Sequence, residues 1–131
     1  MSNIPADLKY TSDDEWVRVE GDGTVTIGIT DYAQDSLSDI VYLELPDADE
    51  AFESGDTFGV VESVKAAADL IMPIAGTVIG MNEDLIDTPE AINEDPYGAA
   101  WMIKVKVDDP SDLDGLLDAA AYQASVDERA G

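Results

Sequence analysis

Lys65 is the side chain in this sequence best placed for covalent chemistry. It sits in Glu62-Ser63-Val64-Lys65-Ala66 and is one of six basic residues against thirty acidic ones. An apolar arm lies on each side, Phe58 to Val64 before it and Ala68 to Met72 after it. A lysine between two such arms is poorly sited for a surface ion pair and well sited for the tip of a hairpin. The chain has no cysteine and no histidine. Redox or acyl chemistry would have to come from an attached group, and a projecting amine is where one would be attached. A hairpin suits that task, because its strands fix the position of the lysine while the tip stays solvated. Small Ala66, Ala67 and Ala68 leave steric room for another protein's active site.

Other chemistry finds little support. Without cysteine there are no disulfides and no thiolate metal site. Without histidine the usual general base and the commonest zinc ligand are missing, and so are the common nucleophile–base pairs. Asp13-Asp14-Glu15, Asp47 to Glu50 and Asp108-Asp109 bring carboxylates together. Thirty acids in 131 residues produce such pairs by chance, so they argue weakly for acid–base catalysis. Asp112-Leu113-Asp114-Gly115 has neither the ligand spacing nor the closing glutamate of a calcium loop. No glycine-rich phosphate loop is present. The chain reads as a non-enzyme.

The elements that would position Lys65 are mostly strands. Trp16 to Glu20 and Thr24 to Ile29 alternate at period two around Gly21-Asp22-Gly23, which predicts a hairpin. Thr30 is placed to cap a short helix through Tyr32, Ala33 and Leu37. Ile40 to Leu45 is β-rich and stops at Pro46, before an acidic loop from Asp47 to Asp56. Gly76 to Met81 is a further strand, and Thr88-Pro89-Glu90 suits one helical turn. Trp101 to Val107 alternates cleanly, with Trp101, Ile103, Val105 and Val107 predicted on the core face and Lys104 and Lys106 opposite. From Ser111, the spacing of Leu113, Leu116, Leu117, Ala120 and Ala121 predicts an amphipathic helix. The pattern gives one mainly β domain over residues 1–131, an antiparallel sandwich or flattened barrel with peripheral helices.

A chain of 131 residues can bury roughly two-thirds of its unfolded surface, and the 45% hydrophobic content argues for a packed core. The net charge of −24 repels nucleic acid and anionic membranes. The first residues have no basic and apolar stretches of a signal peptide, and no apolar run nears the about 20 residues that span a bilayer. A cytoplasmic location is expected. The acids run from Asp7 to Glu128 rather than forming a tail. That dispersion fits a salt-rich cytoplasm, where a Debye length of about 3 Å at 1 M screens self-repulsion, and it predicts a salt-dependent, halophilic fold.

From Glu62-Ser63-Val64-Lys65-Ala66 outward, nearly the whole chain resembles the H-protein of the glycine cleavage system, a lipoyl carrier. The resemblance rests on Leu8-Lys9-Tyr10, Glu15-Trp16-Val17, Ile27 to Gln34, Asp39 to Pro46, Asn93 to Gly98, and Trp101 to Lys104, in the family's order and spacing. Biotinyl domains typically set the lysine between methionines, and lipoyl domains of 2-oxoacid dehydrogenases usually place Asp before it. Here Val64 and Ala66 flank it.

The resemblance implies a flattened β-sandwich, or barrel-sandwich hybrid, with lipoate amide-linked to Lys65 on a hairpin and a helix at the C-terminus. It implies that Glu62, Ser63, Val64 and Ala66 are read by a lipoate-attaching enzyme. Further partners follow by similarity: a pyridoxal-phosphate (PLP) glycine decarboxylase, a tetrahydrofolate-dependent aminomethyltransferase, and a flavin (FAD) dihydrolipoamide dehydrogenase. The first loads the aminomethyl group of glycine onto lipoate, the second takes the one-carbon unit and releases ammonia, and the third reoxidises the dithiol. Family cleft positions that shelter the loaded arm match Glu15 and Asp69, and Asp13 stands where the family has a serine. The sequence departs from the family at Asp14 (usually His), Ser38 (usually Gly) and Ala100 (usually Gly), and Ala67 and Ala68 replace more polar residues. The rival readings are an H-like carrier that relays lipoyl groups to other enzymes, and an unmodified acidic binding module.

Overall fold

The computed structural model describes residues 4–130. Two antiparallel sheets face each other across the main core. The larger contains β1 (Lys9–Tyr10), β2 (Glu15–Val19), β3 (Thr24–Ile29), β9 (Ile103–Val107), β8 (Gly76–Met81) and β5 (Ala51–Phe52), in that spatial order. The smaller contains β4 (Ile40–Glu44), β6 (Thr57–Ser63) and β7 (Ala67–Ile71), with β6 central. Of the period-two segments, β9 buries strictly alternate residues, whereas β2 and β3 bury consecutive ones, Trp16 beside Val17 and Val25 beside Thr26 and Ile27. Val25, Ile27, Val78, Ile103 and Val105 from one sheet and Leu43, Val61 and Leu70 from the other belong to one buried cluster.

The β2–β3 hairpin turns at Gly21-Asp22-Gly23, where both glycines have positive φ. Trp16 lies opposite Gly28 in the register. A Cβ at Gly28 would come within 2.6 Å of the Trp16 indole, so only glycine lets that ring lie flat across β3. The indole N–H then donates to the Pro96 carbonyl at 2.8 Å. α1 (Asp31–Leu37) starts as anticipated, with the Thr30 hydroxyl accepting from the Ala33 amide at 3.2 Å.

Four local expectations are corrected. β5 lies inside the acidic segment read as loop, where Ala51 and Phe52 pair with β8. Thr88 does not open a helix but closes α2 (Glu83–Asp87), its amide and hydroxyl donating to the Asp84 carbonyl at 3.1 and 2.8 Å. The following turn, α3 (Ala91–Glu94), begins after Pro89 and Glu90. β9 starts at Ile103, so Met102 is fully buried and Trp101 is only partly buried, against a second cluster. The C-terminal apolar residues also split. Pro110–Gly115 forms a 3₁₀ turn capped by Asp109, and Leu117 exchanges backbone hydrogen bonds with Tyr10 at 2.8 Å each way. α4 (Ala119–Ala130) begins only after that. Its Tyr122 stacks on Tyr10 with centroids 4.7 Å apart and, with Val126, Leu8 and Trp16, forms the second cluster.

Candidate carrier lysine and acidic cleft

Lys65 is exposed at the turn joining β6 to β7. Ser63 closes that turn. Its amide donates to the Ala66 carbonyl at 2.7 Å, and its hydroxyl accepts from the Lys65 and Ala66 amides at 3.3 and 3.0 Å. The Val64 amide donates to the Asp39 carbonyl at 3.0 Å, which ties the tip to the segment before β4. Fixed backbone under a solvated side chain is what an enzyme acylating the amine requires. Glu62, Val64 and Ala66 are exposed around it, Val64 by 66%, while Ser63 is half-buried and taken up by the turn.

Along β7 from the lysine lies a cleft of about 170 Å³, walled by Asp13, Asp14 and Glu15 on one side, α1 on another, and Ala68, Asp69 and Leu70 on the third. It brings Glu15, Asp69 and Asp13 together. Asp69 lies four positions beyond Lys65, a span of at most about 13 Å along extended backbone. An extended lysine side chain bearing a long acyl group reaches at least that far.

Glu15 is the unusual group in the cleft. It is 1% exposed, at the start of β2. The Thr11 hydroxyl donates to Oε1 at 2.7 Å, and the amide of Ile71, on the edge strand β7, donates to Oε2 at 3.4 Å. Burial pushes its carboxyl from 4.5 to about 8, and the Asp13 and Asp14 carboxylates push the same way against those two hydrogen bonds. At neutral pH the group is mostly protonated. Asp13 and Asp69 are exposed. Ile29, Leu37, Val61 and Leu70 supply apolar walls. The cleft therefore suits a small apolar group ending in a cation. A cation beside Glu15 would lower its proton affinity and turn it into the counter-ion.

Thr11 and Asp14 were not among the residues expected at the cleft. Thr11 accepts from the amides of Asp13 and Glu15 at 3.2 Å each and so shapes the turn that aims Glu15 inward. Its hydroxyl four residues ahead of a glutamate is a weak signal that thirty acids obscure. Asp14 has φ +70 and Ser38 has φ +73. Ser38 therefore occupies backbone that favours glycine, whereas Ala100 has no positive φ and is simply buried. The stretch Asn93 to Gly98 proves to be a joint. The Asn93 side chain accepts from the Ile40 amide at 2.8 Å and donates to Gln34 and to the Ser38 carbonyl at 3.0 and 2.9 Å.

Comparison with known proteins places this geometry in context. The family model for the glycine cleavage H-protein matches residues 8–129. The glycine cleavage system H protein of Idiomarina loihiensis is 57% identical over 128 residues, covering 98% of this chain and 99% of its own length. That of Laribacter hongkongensis is 58% identical over 126 residues, covering 96% and 99%. The crystal structure of a glycine cleavage system H protein from Mycobacterium marinum superposes with a TM-score of 0.82 at 38% identity, covering 92% of this chain and 97% of that one.

Proposed function

The chain belongs to the glycine cleavage H-protein family, and on that premise we propose that Lys65 is the residue bearing its lipoyl group. It is a lipoyl carrier of the glycine cleavage system and not a catalyst. One observation carries the assignment to Lys65: an exposed lysine on a closed hairpin tip stands one arm's length along β7 from a cleft with a buried acid. Bound lipoate supplies the disulfide that takes up and gives back an aminomethyl group.

The protein's own residues do the rest. Ser63 holds the turn so that the amine projects, and Glu62, Val64 and Ala66 offer the surface that a lipoate-attaching enzyme reads. Ile29, Leu37, Val61 and Leu70 exclude water from the end of the arm, which slows hydrolysis of the cargo. Glu15 gives up its proton when an ammonium arrives and holds it by a charge-assisted hydrogen bond, with Asp69 and Asp13 adding negative potential at the rim. The partners are the PLP-dependent decarboxylase, the tetrahydrofolate-dependent aminomethyltransferase and the FAD-containing dihydrolipoamide dehydrogenase. Residues 1–131 act as one carrier unit in a salt-rich cytoplasm.

Intact mass after incubation with lipoate and a lipoate-attaching enzyme tests the assignment. A lipoyl increment present in the native chain and absent from Lys65→Arg is expected. A chain that stays unmodified, or a variant that is still modified, would overturn it. Reconstituted glycine decarboxylation, dependent on the modified chain, then tests the carrier step.

A further inference from the structure

Asp14 lines the cleft, yet its carboxylate is already engaged. Arg129, in the last turn of α4, donates to it through Nη2 at 2.7 Å and Nη1 at 3.0 Å, across 115 positions of sequence. The Tyr122 hydroxyl, one face of the same helix, donates to Oδ1 at 2.9 Å. Those contacts hold a residue at φ +70, a conformation uncommon outside glycine. The Thr30 amide donates to the Asp14 carbonyl at 2.9 Å, completing the hold on that turn.

The same pair reaches the opposite wall. Tyr122 shares a hydrogen bond of 2.7 Å with the Thr30 hydroxyl, the cap of α1, and the Arg129 guanidinium lies 4.9 Å from the Tyr32 ring centroid in α1. α1 in turn contributes Ala33, Ser36 and Leu37 to the cleft. One face of α4 thus ties together the turn carrying Glu15 and the helix facing it.

We infer that Arg129 is a positioning residue for the arm cleft: by clamping Asp14 it holds the Thr11–Glu15 turn against α1 and keeps Glu15 turned inward and dry. Asp14 is then a strut and not a ligand for the cargo. The clamp deepens the carrier reading, but its first test needs no lipoate. The groups facing Glu15 are the Thr11 hydroxyl, the Ile71 amide and the Asp13 and Asp14 carboxylates, with Asp69 across the cleft.

Carbon-13 NMR titration of the Glu15 carboxyl and amide exchange at Ile71 read the clamp in the full unmodified chain, in molar KCl. Arg129→Gln should lower the Glu15 midpoint by about one pH unit as water enters. It should also speed Ile71 exchange about fivefold. Arg129→Lys, which keeps the charge and loses the fork, should fall between. Tyr122→Phe keeps the stack on Tyr10 and should shift the midpoint the same way, serving if Arg129→Gln folds poorly. Loss of the cation acting only through space would leave Asp14 uncompensated and raise the midpoint instead. A midpoint that rises or stays put in both variants overturns the inference. With the arm attached and loaded, retention of the amine should shorten several-fold in Arg129→Gln. A lowered midpoint with unchanged retention upholds the clamp and counts against the sheltering role assigned to the cleft.

Discussion

Replacing Glu15 by glutamine should change how stability depends on pH, with a sign opposite to that of most carboxylates. In the fold, burial raises its proton affinity from an ordinary value of 4.5 to about 8. Between those values the native chain binds more proton than the unfolded chain, so stability from this group falls as pH rises. Its contribution is fully present below pH 4.5, declines across the window, and is gone above about pH 8, where the buried group must ionise. At about 1.4 kcal/mol per pH unit, the gap comes to at most about 5 kcal/mol. Glu15→Gln has no proton to lose there and should lack that slope. The other acids repel one another in both proteins, so the informative quantity is the difference between the two urea-unfolding curves. Measured from pH 4 to pH 9 in molar KCl, the variant should gain on the native chain steadily through the window and level off above it. Parallel pH profiles would mean that Glu15 titrates like a solvated acid, and the account of the cleft as dry would be wrong.

Three further outcomes follow from the geometry. Ser38 has φ +73 and ψ −155, a region costing about 1–3 kcal/mol for a residue with a side chain, so Ser38→Gly should stabilise the fold. After the entropy glycine adds to the unfolded chain, the net gain should be about 1 kcal/mol, seen as a Tm several degrees higher, and a lower Tm would contradict it. Gly28→Ala would set a methyl 2.6 Å from the Trp16 indole and should cost about 2 kcal/mol by denaturant titration, with unchanged stability ruling out that packing. With a net charge of −24, circular dichroism should show structure lost at low ionic strength and restored in molar KCl. Full structure without salt would count against a salt-adapted fold.

Much of the scaffold was legible because its signals are local. Period-two alternation marked β2, β3 and β9, the apolar arms around Lys65 marked β6 and β7, and Thr30 capped α1 where a side-chain acceptor was expected. The misreadings came where a distant partner outbid a local pattern. Leu116 and Leu117 have helical spacing with Leu113, yet Leu117 pairs with Tyr10 and delays α4 to Ala119. Ala51 and Phe52 look like loop and become strand because β8 offers an edge. Asp14 and Ser38 both take positive φ, which their local sequence did not announce.

By itself the chain fixed the absence of reactive sulfur and imidazole, the acidic surface, and a lysine between two apolar arms of a hairpin. These are properties of residue types and neighbours, and tertiary packing does not alter them. The resemblance singled out Glu15, Asp69 and Asp13, but packing alone decided the surroundings each of them has. Desolvation sums over everything that surrounds a group, and Glu15 is dry because β7, α1 and the Thr11 turn converge on it. Its neighbour Asp13 stays in water, and Asp14 meets a guanidinium from the far end of the sequence. Only the folded molecule could assign three adjacent carboxylates three different physical roles.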